Sequence, residues 1–124
     1  MKKKILLVDD EKDLVRSVSF RLEDAGYDVI VAWDGQEALE KAKSEMPDLI
    51  ILDLMLPKMN GYKVCGLLKA DLRYNKIPIL MFTARAQEAD RKMSEEVGAN
   101  AYVTKPFEPE ILFAKIEELL EKSE

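Results

Sequence analysis

Three aspartates stand at the ends of two apolar runs in this sequence. Asp9 and Asp10 directly follow residues 5–8, and Asp53 directly follows residues 49–52. Runs of branched aliphatic residues without polar alternation are typical of strands that are buried on both faces of a parallel sheet. Carboxylates that meet at the tips of such strands repel one another unless a cation or a reaction needs them. We therefore expect the function of the protein where these strands end.

The aspartates must be positioned by a chain that alternates strands with amphipathic helices. Predicted strands cover residues 4–8, 27–32, 49–53, 79–83 and 101–104, and apolar residues at helical spacing predict five helices between and after them. The apolar residues are Leu14, Val15, Val18, Leu22 and Ala25 on one face of the first helix, Ala38, Leu39, Ala42 and Met46 in the buried stripe of the second, Val64, Cys65, Leu68 and Leu72 in the third, and Ile111, Leu112, Ile116, Leu119 and Leu120 in the amphipathic fifth. The fourth helix, marked by Ala89, Met93 and Val97, is predicted to be mostly polar and weakly anchored.

Strand–helix–strand units connect with right-handed crossovers and wind into a parallel sheet with helices on both faces. The expected fold class is α/β, a doubly wound five-stranded parallel sheet of the flavodoxin-like order 2-1-3-4-5 in a three-layer sandwich. In that order the first and third strands are neighbours, so Asp9 and Asp10 should lie beside Asp53. Thr83 ends the fourth strand and Lys105 follows the fifth. The hydroxyl of Thr83 and the ammonium of Lys105 should then lie near the three carboxylates. This set of groups fits the transfer of a phosphoryl group to a carboxylate beside a hard cation.

Length and composition exclude several classes of function. The 124 residues suit one domain, residues 1–124, and the expectation is that no separate output domain is present. A net charge of −5 with both signs interspersed argues against direct binding of nucleic acid. The apolar run after the initial MKKK is too short for a signal peptide or a membrane span, which predicts a cytoplasmic protein without membrane insertion. The sequence has no histidine, so any phosphohistidine must come from a partner.

Four stretches together resemble the receiver domain of two-component response regulators. They are ILLVDDE at residues 5–11, DLIILDLMLPKMNG at 48–61, FTA at 82–84 and YVTKPF at 102–107. Their presence in this order is highly specific, and the resemblance covers essentially the whole chain. It implies a chemotaxis-regulator-like receiver in a phosphorelay.

The resemblance gives the acidic residues their implied roles. Asp53 is implied to be the phosphoacceptor, which takes a phosphoryl group from a phosphohistidine on a sensor histidine kinase or a phosphotransfer protein. Asp10, Asp53 and the backbone carbonyl of Met55 are implied to bind Mg²⁺ directly, and Asp9 is implied to bind it through a metal-bound water. Mg²⁺ commonly keeps several waters and takes one or two carboxylates, in agreement with this assignment.

The resemblance also assigns the residues on the far side of the crevice. Thr83 and Lys105 are implied to bind the phosphoryl oxygens, and Thr83 and Tyr102 are implied to act together as a conformational switch. The Lys105–Pro106 peptide bond is implied to be cis. Met55 and Arg85 occupy positions that tune the access of water in the family, and the bulk of Met55 suggests slow loss of the phosphoryl group. The chain is thus expected to be no enzyme, but a phosphoacceptor that assists its own phosphorylation and slow autodephosphorylation.

Other interpretations use some of the same residues. A haloacid dehalogenase-like Mg²⁺-dependent phosphatase also forms an aspartyl phosphate, but it needs a second aspartate where this chain has Met55. A flavodoxin needs a phosphate loop rich in Ser, Thr and Gly after the first strand, where Asp9, Asp10 and Glu11 would repel the phosphate. Taken singly, Asp9 or Asp10 could instead be the N-cap of the first helix.

A docking surface for a partner is predicted on the first helix. Phe20 is about half a turn out of phase with the buried positions of that helix, so its ring should face water. Ser17, Phe20, Arg21 and Asp24 share this outer face. In receivers this helix is similar to the surface that packs against the helical bundle of the kinase, although single exposed apolar residues are common without a partner.

The signal is expected to leave through a different face of the domain. Phosphorylation should change the surface formed by the fourth helix, the fifth strand and the fifth helix around Tyr102. The expected recipient is a downstream effector protein or a second copy of the chain in a homodimer.

Overall fold

Strands and helices alternate along the part of the chain that the structure describes. This structure is a computed structural model, and it describes residues 2–85 and 87–122. The elements are β1 (Lys4–Val8), α1 (Lys12–Asp24), β2 (Asp28–Ala32), α2 (Gly35–Glu45), β3 (Leu49–Leu52), α3 (Gly61–Lys69), β4 (Ile79–Thr83), α4 (Glu88–Glu96), β5 (Ala101–Thr104) and α5 (Pro109–Lys122). Among the described helices, none is long and apolar enough to span a membrane.

The five strands form one parallel sheet in the order β2-β1-β3-β4-β5, which confirms the predicted fold class. Val8 of β1 is aligned with Leu52 of β3, so the residues that follow them leave the sheet side by side. Thr83 at the end of β4 is likewise aligned with Thr104 of β5. The register therefore brings the four strand ends that carry the predicted site to one edge of the sheet.

Each strand supplies side chains to two cores, one on each face of the sheet. In β1, Leu6 and Val8 pack with residues of α2 and α3, whereas Ile5 and Leu7 pack with residues of α1 and α5. Because successive side chains of a strand point to opposite faces, a strand covered on both sides must be apolar throughout. This arrangement explains the uninterrupted apolar runs in front of the aspartates.

The sequence predicts a mostly polar and weakly anchored fourth helix, and in the structure the inward face of α4 is polar. Asp90 and Ser94 are 5% and 1% exposed, whereas Met93 is 44% exposed and Ala89 lies on the surface. Val97 lies just past the end of the helix, where it is the C-cap and packs against the core. The helix can bury this face because polar groups of neighbouring elements bind the Asp90 carboxylate.

Several apolar residues of the predicted helices are exposed because they lie at or beyond the ends of the helices. Leu72 is 88% exposed because α3 ends before it and the chain turns away. Met46 is the C-cap of α2 in a left-handed conformation, with φ at 47°, and is 52% exposed. Ala25 caps α1 on the surface, and Ile111 in the first turn of α5 is 50% exposed. Periodicity alone did not locate these helix ends.

Candidate functional site

The backbone fixes Asp9 and Asp53 side by side beyond the ends of β1 and β3. The amide of Asp53 donates a hydrogen bond to the carbonyl of Val8 at 3.1 Å, and the amide of Asp9 donates to the carbonyl of Ala32 at 3.2 Å. The sheet ladder thus continues one residue past the strands. Asp9 is fully buried and Asp53 is 5% exposed, so both carboxylates need partners that offset the cost of burying charge.

Lys105 supplies a cation to this pair of carboxylates. Its Nζ lies 2.7 Å from Asp9 Oδ2, 3.3 Å from Asp53 Oδ2 and 3.0 Å from Glu11 Oε1, and its side chain is only 10% exposed. The amide of Lys105 donates to the carbonyl of Thr83 at 2.8 Å, and the Lys105–Pro106 peptide bond is cis. The ammonium is therefore held in one place by the backbone and by three acidic groups.

The electrostatics of the site favour a charged Lys105. Burial lowers the pKa of Lys105, but hydrogen bonds to Asp9 and Glu11 and the charges of Asp53 and Asp9 outweigh it, so the pKa is raised. Burial raises the pKa of Asp9, against the opposing effects of Lys105 and of the hydrogen bond from the Glu11 amide. The N-cap of α1 is Glu11, so neither Asp9 nor Asp10 occupies the capping position considered above.

Three carboxylates of the crevice form an oxygen cluster that fits a hard cation. Asp9, Asp10 and Asp53 each offer a carboxylate oxygen, and these atoms all lie within 4.8 Å of one another. Asp10 is on the surface, so a cation bound here could keep waters of its own. Met55 follows on an exposed loop, and its amide donates to Asp53 Oδ1 at 3.3 Å. The donors are those that Mg²⁺ prefers.

Gly61 packs closely against the backbone of Asp53, and the sequence did not reveal this contact. A Cβ at this position would lie 2.3 Å from the carbonyl oxygen of Asp53. The amide of Gly61 also donates to the carbonyl of Leu54 at 2.9 Å. The first turn of α3 therefore rests directly on the backbone of the phosphoacceptor candidate, and any larger residue at Gly61 would push the two apart.

Thr83, Arg85 and Tyr102 are linked through the backbone of the loop after β4. Thr83 is 1% exposed, and its Oγ1 accepts a hydrogen bond from the amide of Arg85 at 3.3 Å. The hydroxyl of Tyr102 donates to the carbonyl of the same residue. The guanidinium of Arg91 lies 4.9 Å from the centre of the Tyr102 ring. The predicted switch pair is thus connected through Arg85.

Asp90 is a buried charge beside the crevice that the sequence analysis missed. Its carboxylate accepts from the guanidinium of Arg85, at 3.1 Å to Nη2 and 3.4 Å to Nε, and from the hydroxyl of Tyr62 at 3.1 Å. Burial and the hydrogen bond to Asp90 raise the pKa of Tyr62 to about 12. The Arg85 Nη1 lies 4.0 Å from the Met55 sulfur, and both residues line a cavity together with Asp10.

The outer face of α1 lies open, as its helical phase predicts. Phe20 is 71% exposed. Together with Ser17, Arg21 and Asp24 it lines a shallow groove of about 850 Å³ whose other wall includes Phe113 of α5.

Comparison with known proteins identifies the family of this chain. A family model described as the response regulator receiver domain matches residues 5–117. The chain belongs to this family. The receiver domain is 50% identical over 126 residues to the alkaline phosphatase synthesis transcriptional regulatory protein PhoP of Bacillus subtilis. It is 41% identical to the DNA-binding response regulator MtrA of Mycolicibacterium smegmatis.

Solved structures agree with this assignment. The receiver domain matches the chemotaxis protein CheY4 of Vibrio cholerae with a TM-score of 0.90 and 36% identity, over 96% of this chain and 99% of that chain. A response regulator structure from Chloroflexus aurantiacus gives a TM-score of 0.93 with 34% identity, over 98% and 99% of the two chains. The chain is a receiver domain of phosphorelay signalling, and the comparisons do not support the phosphatase alternative.

The receiver domain accounts for part of each of the two regulators named above. The matches cover all of this chain, but 51% of the PhoP sequence and 53% of the MtrA sequence. The chain thus spans about half the length of these curated relatives.

Proposed function

We propose that Asp53 accepts a phosphoryl group and that Asp9, Asp10 and Lys105 assist the transfer. The observation that supports this proposal is the position of the Lys105 ammonium, 3.3 Å from the Asp53 carboxylate and 2.7 Å from that of Asp9. A cation fixed beside the acceptor oxygen is suited to stabilise the negative charge that arrives with the phosphoryl group. Thr83 at the end of the adjacent strand offers a hydroxyl to another phosphoryl oxygen.

The transfer itself needs little covalent chemistry from the protein. A carboxylate oxygen of Asp53 bonds to phosphorus while the bond from phosphorus to the donor nitrogen breaks. The leaving imidazole of the donor keeps the electron pair of that bond and takes up a proton. Because this chain contains no histidine, the donor imidazole lies outside it, on a sensor kinase or a phosphotransfer protein.

Mg²⁺ is the cofactor that the oxygen cluster fits. Asp10, Asp53 and the backbone carbonyl of Met55 would hold it directly, and Asp9 would hold it through water. Mg²⁺ would neutralise charge on the phosphoryl oxygens. Asp10 is the most accessible of the three carboxylates, so its removal tests most directly whether the cluster binds this ion.

The phosphorylated state is proposed to act through Tyr102 and its surroundings. When Thr83 turns toward the phosphoryl group, the loop that Tyr102 binds through the Arg85 carbonyl must adjust with it. The affected surface consists of α4, β5 and α5. Its recipient is a downstream effector protein or a second copy of the chain. Signal output is thus a population shift of this surface rather than turnover of a substrate.

Phosphorylation with a small donor tests the proposal. The protein is incubated with acetyl phosphate, with and without Mg²⁺, and its intact mass is measured. The wild type should gain one phosphoryl group only with Mg²⁺, and Asp53→Asn should gain none. Asp28→Asn, a change of an exposed aspartate at the start of β2, serves as the matched control and should be labelled normally. A full gain of mass in Asp53→Asn would contradict the proposal.

The groove beside Phe20 is proposed as the docking site of the kinase. Replacing the exposed ring by Phe20→Ala removes apolar contact area from the encounter surface but leaves the crevice intact. The rate of transfer from the cognate kinase should fall by about tenfold, as is typical of the loss of an interface aromatic. Phosphorylation by acetyl phosphate should not change.

The matched control for Phe20 is Leu72→Ala, which removes an even more exposed apolar side chain after α3. Transfer from the kinase should be unaffected by this change. Equal slowing by kinase and acetyl phosphate in Phe20→Ala would exclude a docking role for the ring.

A further inference from the structure

Asp90 is a buried carboxylate that the proposed phosphoryl transfer does not use. It is 5% exposed and lies on the inward face of α4. A buried carboxylate is unfavourable unless charged and hydrogen-bonding partners surround it. Here the partners are Arg85 from the loop after β4 and Tyr62 from the first turn of α3. The cluster therefore joins three separate segments beside the crevice.

The geometry fixes the side chain of Arg85 in a particular direction. Two nitrogens of its guanidinium bind the two oxygens of Asp90, at 3.1 and 3.4 Å, in a fork that restrains both position and orientation. Its third nitrogen lies 4.0 Å from the sulfur of Met55. The side chain nevertheless remains 49% exposed, so little else holds it in place. Without Asp90 the guanidinium would be free to leave this position.

Arg85 and Met55 line a cavity of about 440 Å³ together with Asp10 and Tyr62. This cavity is close to Asp53, because Asp10 and Asp53 have carboxylate oxygens within 4.8 Å of each other and the amide of Met55 donates to Asp53 Oδ1 at 3.3 Å. The guanidinium and the thioether therefore occupy space on the solvent side of Asp10, beside the proposed acceptor. Water that hydrolyses an acyl phosphate on Asp53 must reach phosphorus, so the position of Arg85 bears on the rate of that reaction.

We propose that Asp90 is a positioning residue that holds Arg85 against Met55 and so prolongs the lifetime of the phosphoryl group on Asp53. The proposal rests on the proposed function of Asp53. In the reaction that it slows, the oxygen of water bonds to phosphorus as the bond from phosphorus to the Asp53 oxygen breaks. The products are the Asp53 carboxylate and inorganic phosphate, and the protons of the water pass to phosphate and solvent.

The lifetime of the phosphoryl group in a set of variants tests the role of Asp90. Protein loaded with acetyl phosphate and Mg²⁺ is freed of donor by rapid desalting, and the loss of the phosphoryl group is followed by intact mass. In Asp90→Asn the lifetime should fall by about three- to tenfold, the range of coupling within one hydrogen-bonded network. Arg85→Ala should shorten it by a similar factor.

The double variant separates positioning from a general structural effect. If Asp90 acts through Arg85, then Asp90→Asn should have no further effect on lifetime once Arg85→Ala is present. Ser94→Ala is the matched control, since Ser94 is also buried on the same face of α4 and its hydroxyl has no hydrogen-bond partner among the described residues. The lifetime of the phosphoryl group in Ser94→Ala should match that in the wild type.

Three results would overturn the inference. The first is an unchanged lifetime of the phosphoryl group in folded Asp90→Asn. The second is a longer lifetime in that variant, because the freed guanidinium binds the phosphoryl group. The third is that the effects of Asp90→Asn and Arg85→Ala on the lifetime multiply in the double variant. If Asp90→Asn does not fold, Arg85→Lys replaces it, because lysine keeps the charge but cannot form the fork. A wild-type lifetime in that variant would also overturn the inference.

The same measurement distinguishes this inference from the proposed function. A wild type that gains a phosphoryl group while folded Asp90→Asn keeps the wild-type lifetime overturns the positioning role alone. A wild type that gains no phosphoryl group overturns the proposed function and this inference with it.

Discussion

Among the described residues, two cations bind the buried carboxylates, and these two cations differ in their exposure to solvent. Asp9 is paired with Lys105, whose side chain is 10% exposed and contacts two further acidic groups. Asp90 is paired with Arg85, whose side chain is 49% exposed. The first cation is enclosed among acidic residues at the ends of the strands, whereas the second lines the more open cavity beside Asp10 and Met55.

The difference indicates which part of the site is fixed and which part can adjust. Lys105 is anchored at its backbone to Thr83 and at its ammonium to the carboxylates, which fits its proposed role of stabilising an incoming phosphoryl group. Arg85 is anchored to Asp90 of α4, an element whose surface is proposed to change on phosphorylation. A rigid centre with an adjustable margin is the arrangement expected of a site that must both accept a group and signal its presence.

Removing each cation in turn should give the largest difference in stability between the two parts of the site. Lys105→Met leaves Asp9 buried without a cation and should lower the free energy of unfolding by about 3 kcal/mol, as in other broken buried pairs. Arg85→Met should lower the free energy of unfolding by only about 1 kcal/mol, because Asp90 keeps its hydrogen bond from the Tyr62 hydroxyl and water can enter where the guanidinium lay. Both values are measured by urea denaturation at neutral pH.

The control for these charge removals is an ion pair on the surface. Lys58 lies 3.6 Å from Asp34 and its side chain is 65% exposed, so Lys58→Met should cost less than about 1 kcal/mol. A smaller loss in Lys105→Met than in Arg85→Met would contradict the view that the first pair is the rigid one.

Addition of Mg²⁺ tests the acidic side of the centre. If the cluster binds the ion, then Mg²⁺ at about ten times its dissociation constant should stabilise the wild type by about 1.4 kcal/mol. Asp10→Asn should remove this stabilisation without lowering stability in the absence of the ion, since it also relieves repulsion with Asp9 and Asp53. Urea denaturation with and without Mg²⁺ measures both effects. Equal stabilisation of the variant would show that Asp10 is not a ligand.

The meeting of Lys105 with Asp9, which we call the rigid pair, could be predicted from the sequence. The meeting of Arg85 with Asp90, the adjustable pair, could not. Asp9 and Asp53 directly follow apolar runs and Lys105 directly follows β5, and the order of a parallel sheet then determines that they meet. The burial of Asp90 depends instead on Tyr62 and Arg85, side chains from two other segments. Hydrophobic periodicity gives no signal for such a contact, because it assigns charged residues to the outer face of a helix.

Helix ends were the other part of the fold that the sequence did not determine. The stripe of α3 continues in the sequence to Leu72, but the helix ends earlier and this side chain is 88% exposed. Met46 likewise stands at a helical position of α2 but forms its left-handed C-cap. The position of a helix end depends on local capping and on the path of the next segment, which periodicity does not report.

The smallest expected effect concerns the hydroxyl that supports the adjustable pair. Tyr62→Phe should lower the free energy of unfolding by about 1 kcal/mol at neutral pH, because a hydrogen bond to a charged group is lost. The pKa of Tyr62 is raised to about 12 from an ordinary value of 10.0. A raised pKa means that the contribution of Tyr62 is complete below about pH 10 and is lost as the pH rises to about 12.

The pH dependence gives a direct measurement of this contribution. The difference in stability between the wild type and Tyr62→Phe, measured by urea denaturation, should shrink between pH 10 and 12. In an Asp90→Asn background the substitution of Tyr62 should cost less, since the charged acceptor is gone. A difference that stays constant up to pH 12 would contradict the contact between Tyr62 and Asp90.

Chemical location of the phosphoryl group tests the central claim most directly. The protein is labelled with acetyl phosphate and Mg²⁺, reduced with borohydride, which converts an aspartyl phosphate to homoserine, and digested for peptide mass spectrometry. We expect homoserine at position 53 and unmodified aspartate at positions 9 and 10. Homoserine at position 9 or 10, or a phosphoryl group elsewhere in a chain with intact Asp53, would contradict it.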